Sequence, residues 1–274
     1  MRSLAWSCLL PWLLACSRSE PAPPQASSSS ASASATFRTA ALEVTSDVAS
    51  AGLRVRSGTL PAPSAAAVAA PWGFSDLEPD AARTRLEIAL VAGGAELSRL
   101  LPPGGLAVVN GGYFEADFRP STWVVSGGVP LANKSDTTKG GVLALAGGQS
   151  YIGPFAGLGF QPELAVQSFP MIVEPDGTSG IHRDDGRRAA RTVACLVGGA
   201  LHLIVITAPR GEGPTLFEAA GVLRAPPPLG FGCRAALNLD GGPSSGVWFA
   251  PELGARQRPP LARVAYALAV LPAR

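Results

Sequence analysis

Short apolar runs, broken at regular intervals by Gly, Pro and Asn, set the character of most of this chain. Runs of strand length lie at 86–91, 106–109, 142–145, 193–197, 201–207, 235–239 and 264–271. Their lengths and their flanking turn residues predict strands. Val197-Gly-Gly-Ala-Leu201 predicts a hairpin turn between two of them. One segment instead has helical spacing, with Leu216, Ala219, Ala220 and Leu223 on one face and Pro226 to Pro228 stopping it. Thr215, followed three residues later by Glu218, forms a capping box, so Glu218 is read first as a helix cap. Strands interrupted by a few helices, without regular β-α-β alternation, predict an α+β class. The expected architecture is a β-rich single domain with a mixed or mainly antiparallel sheet and a few short helices.

The first 36 residues depart from this pattern. Arg2 precedes a short apolar core at 4–14, and Leu13-Leu-Ala-Cys16 has the form of a bacterial lipoprotein lipobox. Residues 1–16 are therefore expected to be a signal peptide with Cys16 as the lipid attachment point. Residues 17–36 are Ser, Ala and Pro with almost no apolar bulk, a composition that cannot pack and serves as a tether. The folded domain is expected at 37–274. The resulting expectation is an exported protein, held to a bacterial envelope membrane by an N-terminal lipid.

Charge narrows the partners. The net charge is +2, from 22 Lys and Arg against 20 Asp and Glu, and both signs are scattered, so no nucleic-acid footprint is present. No apolar run has the length of a transmembrane helix. With 32 Gly and 26 Pro, the composition suits a loop-rich β protein. Of the four cysteines, Cys8 would leave with the leader and Cys16 would carry lipid, which leaves Cys195 and Cys233. In an oxidising compartment they form either one disulfide or two buried thiols, and the sequence leaves both open.

Two strand ends carry the candidate chemistry. Ala236-Leu-Asn-Leu-Asp240-Gly-Gly-Pro-Ser244-Ser245-Gly246 is an apolar run stopped by a carboxylate, two glycines and two hydroxyls. Such a segment is a turn, and it also sets Asp240 beside backbone amides able to hold an anion. Leu106-Ala-Val-Val-Asn110-Gly-Gly-Tyr113-Phe114 repeats the design. Arg191 opens a predicted strand, and its guanidinium can fork onto a phosphate. Arg187 and Arg188 read as a solvated basic loop. His202, inside an apolar run, reads as a core residue, and no Cys/His cluster suggests zinc. The acidic loops Asp184-Asp185 and Glu115 to Asp117 lack the ligand spacing of a calcium loop, so no cofactor is expected beyond a loosely held divalent cation. Gly242-Pro-Ser244-Ser-Gly246 fits the serine-hydrolase elbow formally. That elbow needs a following helix, whereas Val247-Trp-Phe-Ala-Pro reads as extended.

Taken in order, Asn110-Gly-Gly-Tyr-Phe, Gln167-Ser-Phe-Pro-Met-Ile-Val, Arg191-Thr192 and Leu237-Asn-Leu-Asp-Gly-Gly-Pro-Ser-Ser resemble the phosphodiester glycosidase family. The resemblance spans about residues 80–272, and Asp117-Phe-Arg119-Pro120 resembles its smaller bacterial branch, often labelled exopolysaccharide biosynthesis proteins. It implies hydrolysis of a sugar-1-phosphodiester at the anomeric linkage. Asp240, Arg191 and Asn110 would be catalytic. Gly111, Gly112, Tyr113, Phe114, Thr192, Gly241, Gly242, Ser244 and Ser245 would bind a carbohydrate or glycosyl-phosphate substrate. Pro243 stands where many members carry a third glycine, which removes an amide donor. A polysaccharide-binding lipoprotein using Trp72, Trp123 and Trp248 is the non-enzymatic alternative.

Overall fold

The computed structural model describes residues 41–60, 71–133, 136, 138–208 and 213–273. The expected leader, Cys16 and the linker lie outside them. Strands are numbered along the chain. A seven-stranded sheet has the order β1 (Glu43–Ser50), β2 (Leu53–Leu60), β3 (Trp72–Pro79), β13 (Ala200–Thr207), β12 (Arg191–Val197), β14 (Ala235–Asn238), β11 (Met171–Val173). A five-stranded sheet runs β7 (Val129–Ala132), β6 (Val124–Ser126), β10 (Leu164–Ser168), β8 (Gly141–Ala146), β9 (Gln149–Gly153). The third sheet runs β15 (Val247–Phe249), β5 (Ala107–Asn110), β16 (Val264–Pro272), β4 (Thr84–Ala95). Each pairing among these strands is antiparallel. The fold is therefore β-rich α+β, with three antiparallel sheets where the sequence reading expected one.

The inner faces of all three sheets share one core. Leu77, Leu203 and Val205 meet Val109, Phe249 and Leu268 from the third sheet and Leu143 and Val166 from the five-stranded one. The outer face of the seven-stranded sheet is also covered. There Val193, Ile204, Ile206, Trp72 and Phe74 pack beneath helix α1 (Leu216–Arg224), through Ala219, Ala220, Val222 and Leu223. Burial on both faces explains why the β13 sequence Leu-His-Leu-Ile-Val-Ile is nearly continuous in apolar residues rather than alternating. The helix begins at the expected capping box, with the Glu218 amide donating to Thr215 Oγ1 at 3.2 Å. Gly198 and Gly199 take φ of +57° and +91° in the β12–β13 turn, a conformation that suits glycine. Cys195 and Cys233 are joined by a disulfide, their Cα atoms 5.7 Å apart.

His202 lies in this outer core and is 4% exposed. Its Nδ1 sits 2.9 Å from Asp76 Oδ1, and the Arg56 Nε donates to Asp76 Oδ2 at 3.1 Å. An ionised carboxylate only accepts, so the imidazole carries its proton on Nδ1. Asp76 has a fully buried side chain, whereas the Arg54–Asp47 pair on the neighbouring edge is 49% and 41% exposed. These two pairs should therefore respond differently to truncation. Asp76→Ala is expected to cost about 3–5 kcal/mol, because it strands a buried imidazole and a partly buried guanidinium. Asp47→Ala is expected to cost about 1 kcal/mol or less. Urea unfolding midpoints of the two variants check the contrast.

Candidate active site

The three sheets converge at one end. β5 ends at Asn110, β12 starts at Arg191, β14 ends at Asn238, and β10 ends at Ser168. Leu239 and Asp240 then cross between sheets, the Leu239 amide donating to Thr192 O at 2.8 Å and the Asp240 amide to Gly111 O at 3.1 Å. Asp240, Arg191, Asn110, Thr192, Tyr113 and both glycine pairs are thus brought together. Phe114 is not. It turns away to stack on Phe118 at 5.4 Å, against the inner core.

Asn110 occupies the seam, 1% exposed. Its Nδ2 donates to Asp240 O at 2.8 Å and Gly111 O at 3.2 Å. Its Oδ1 accepts from Thr192 Oγ1 at 2.6 Å and from the Gly246 amide at 3.1 Å. Every donor and acceptor of the Asn110 amide is engaged within the protein, one of them with Thr192 Oγ1, so Asn110 has no free group for the catalytic role that the sequence reading gave it. Asn110 and Thr192 hold the Asp240 loop to β5 and β12.

The glycine amides are likewise engaged. The Gly111 amide donates to Tyr266 O at 3.0 Å and the Gly112 amide to the Tyr266 hydroxyl at 2.8 Å. A Cβ on Gly111 would come within 2.2 Å of the Tyr266 ring, so the first glycine pair exists to let that ring close under the loop. In the second loop the Gly241 amide donates to Asp240 Oδ1 at 2.8 Å and the Gly242 amide to Ala190 O at 2.8 Å. The expected anion cradle of backbone amides is therefore not formed. Ser245 Oγ donates to Asp240 O at 3.4 Å, and the Ser244 side chain draws the Asp240 pKa down. Ser244 follows no nucleophile elbow, because β15 comes next, and His202 is committed to Asp76 at the far end of β13.

What remains turned outward is charged. Burial pushes the Asp240 carboxyl above the usual aspartate range, against the opposing pull of Ser244 and the Gly241 amide. Burial also lowers the pKa of Arg191, which Tyr113 and Asp185 partly offset. Arg191 Nε donates to Pro214 O at 3.1 Å and its Nη2 to Arg187 O at 2.9 Å. Its Nη1 faces Gly241, where a Cβ would lie 3.7 Å away. The Tyr113 hydroxyl senses both charges. Burial and then Asp240 raise its pKa, while Arg191 lowers it. That hydroxyl donates to Phe169 O at 3.0 Å and accepts from Asn238 Nδ2 at 3.0 Å, and the Tyr113 ring stacks on Phe169 with centroids 4.4 Å apart. Phe169 is 42% exposed, so the pair presents an aromatic face at the rim.

Sequence reasoning missed Tyr266, Asn238, Gln167 and Phe169. Tyr266 could have been found, since a tyrosine inside an otherwise apolar strand must seat its hydroxyl on a partner. Gln167 Oε1, Ser168 Oγ and Asn238 Oδ1 are buried with no hydrogen-bond partner among the described residues. Unpaired buried acceptors cost about 1–3 kcal/mol each and tend to collect at functional sites. Arg187 is solvent-exposed as expected, but Arg188 is not a solvated loop residue: it forks onto Glu218 at 2.9 and 2.6 Å. The Asp184 and Asp185 carboxylates accept from turn amides, and among the described residues no three His, Cys, Asp or Glu side chains cluster as a metal site. A cavity of about 1130 Å³ opens at the opposite end of the sheets, among the β1–β2, β3–β4, β8–β9 and β12–β13 turns, and none of the candidate residues lines it.

Residues 104–271 match the family model described as phosphodiester glycosidase. No curated protein matches the chain. Among solved structures the chain is similar to the catalytic domain of zebrafish N-acetylglucosamine-1-phosphodiester alpha-N-acetylglucosaminidase, described as auto-inhibited by its pro-peptide. That likeness has a TM-score of 0.66 at 13% identity and covers 85% of this chain and 89% of that one. The chain is also similar to a hypothetical protein from Synechocystis, with a TM-score of 0.59 at 15% identity, covering 81% of this chain. It spans 62% of that protein's length. At these identities the two likenesses establish the fold.

The seam makes a graded prediction. Asn110→Ala removes the amide that four groups use and is expected to cost at least about 3 kcal/mol, since several buried partners lose their hydrogen bond together. Thr192→Val removes one hydroxyl and should cost about 1–2 kcal/mol. Equal urea midpoints for the two variants would contradict the central place of Asn110.

Proposed function

The chain belongs to the phosphodiester glycosidase family, and from that premise we propose that it hydrolyses a sugar-1-phosphodiester at the anomeric carbon–oxygen bond, releasing free sugar and a phosphomonoester. The observation that carries this reading is a half-buried carboxylate and a buried guanidinium that both approach Gly241, Asp240 Oδ1 accepting from its amide at 2.8 Å and Arg191 Nη1 lying 3.7 Å from where its Cβ would be. Asp240 takes a proton from the attacking water as oxygen adds to the anomeric carbon. A carboxylate of raised pKa is a better base than an ordinary aspartate and also faces the positive charge that builds on the sugar. The bonding electrons leave with the phosphate oxygen, and Arg191 Nη1 meets the charge that develops there. A phosphate departs without a strong general acid, so a second carboxylate is not required. Tyr113 and Phe169 offer the sugar a ring face.

The polysaccharide-binding alternative keeps at most two half-buried platforms, Trp123 and Trp248. Trp72 is 2% exposed in the outer core, and Trp123 packs on Phe155 with centroids 5.1 Å apart. Trp248 packs against the cluster on the outer face of the third sheet. In the proposed setting the enzyme is exported and held to a bacterial envelope membrane through Cys16, where glycosyl-phosphate linkages are its substrates.

Asp240→Asn is expected to lower sugar release from glycosyl phosphodiesters by about a hundredfold or more, several kcal/mol of barrier. Arg191→Lys should be milder, because the charge survives and the fork does not. The acid limb of the rate profile should lie above the ordinary aspartate range, since only ionised Asp240 is active. The same residue has a stability signature. A carboxyl whose folded pKa is raised stabilises the fold below its unfolded pKa and loses that contribution as pH rises through the folded value. Asp240→Asn should therefore melt at or above wild type at pH 7, with the gain shrinking toward pH 4. Near wild-type turnover by the folded variant would end the catalytic assignment.

A further inference from the structure

Only Nη1 of Arg191 is turned toward Gly241, and what turns it is a pair of peptide groups. One is Pro214–Thr215: its carbonyl accepts from Arg191 Nε at 3.1 Å, and its amide donates to Glu218 Oε2 at 2.9 Å. The other is Arg187–Arg188: its carbonyl accepts from Arg191 Nη2 at 2.9 Å. These two peptides come from segments far apart in sequence, and Glu218 binds both of them. It reaches the first directly and the second through the Arg188 side chain, which forks onto the two Glu218 oxygens at 2.9 and 2.6 Å. The Glu218 side chain is 8% exposed and that of Arg188 37%, so the fork is partly screened from water. A capping box needs only Thr215 and Glu218. Arg188 is superfluous to it.

We propose that Arg188 and Glu218 are positioning residues for Arg191: their ion pair fixes the two carbonyls that aim its guanidinium at the substrate phosphate. The proposal rests on the reading of Arg191 as the phosphate-binding group. A fork supplies two parallel bonds and a plane, whereas a point charge supplies neither, so the device depends on the shape of Arg188 as well as its charge. Without it the two carbonyls drift apart, and Arg191 loses orientation while keeping its charge.

The test is competitive inhibition by inorganic phosphate, measured together with kcat, KM and melting temperature on the purified protein. Arg188→Met, which keeps the apolar stem, should weaken phosphate binding about tenfold, and it should also lower the melting temperature, because the buried Glu218 carboxylate loses its partner. Arg188→Lys, which keeps the charge and loses the fork, should weaken it within about threefold of the Met variant. Glu218→Gln, which can still accept from the Thr215 amide, should behave like Arg188→Met. In an Arg191→Gln background, Arg188→Met should have no further effect on phosphate binding. Full recovery by Lys would mean that charge alone suffices and would overturn the proposal, as would an undiminished effect in the Arg191→Gln background. Unchanged phosphate binding in Arg188→Met, beside a loss in Arg191→Gln, would overturn the positioning role and leave Arg191 as the phosphate ligand. Unchanged binding in Arg191→Gln would overturn both. If Arg188→Met fails to fold, the Lys variant and Glu218→Gln decide the matter by the same readings.

Discussion

One side-chain amide holds the candidate-site end of this protein together. Asn110 bonds Asp240 O, Gly111 O, Thr192 Oγ1 and the Gly246 amide, and so joins β5, β12 and the loop that carries Asp240. Sheets that merely pack face to face can slide, since apolar contact is non-directional. A buried amide with four directed partners cannot follow such a slide without stranding polar groups, each at the cost of an unmade hydrogen bond. The position of the carboxylate relative to β12, and hence to Arg191, is set there.

The second element of rigidity is the close approach of Tyr266. Its ring lies where a Cβ of Gly111 would be, and its hydroxyl takes the Gly112 amide. Paired glycines at a strand end suggest exposed amides waiting for an anion, yet here both loops use their amides on the protein itself. An anion in the proposed reaction would be left to a side chain. Backbone amides are spent on holding geometry, which leaves Asp240 and Arg191, two groups whose pKa values burial disturbs, as the candidates for the proposed chemistry.

Much of the fold was legible in the sequence, and the exceptions have physical reasons. Strands buried on one or both faces, such as β12, β13 and β16, stand out as apolar runs. β1, largely solvent-exposed along Glu-Val-Thr-Ser-Asp-Val-Ala-Ser, carries no such signal and was not anticipated. β6, β11 and β15 are three residues long, too short for any periodicity. At the site, residue type and strand-end position pointed to Asp240 and Arg191. The same cues gave Asn110 a catalytic role and assigned the glycines to substrate, because a sequence shows which groups can donate or accept and not which of them are already taken. The Arg188–Glu218 fork was invisible for a related reason: its partners are 30 residues apart and meet only once α1 has docked.

The molecule has two unlike ends, and the difference bears on how it can be altered. Opposite Asp240 the chain reverses through short turns, β1 to β2, β8 to β9 and β12 to β13, which carry none of the candidate site residues. Lengthening such a turn costs mainly closure entropy, about 0.6 kcal/mol for each doubling of a flexible loop. The sheets then act as a spacer: a graft on the turn end is separated from the chemistry by the length of the strands. That end is a place to attach the protein to a surface with the candidate site left facing the solution.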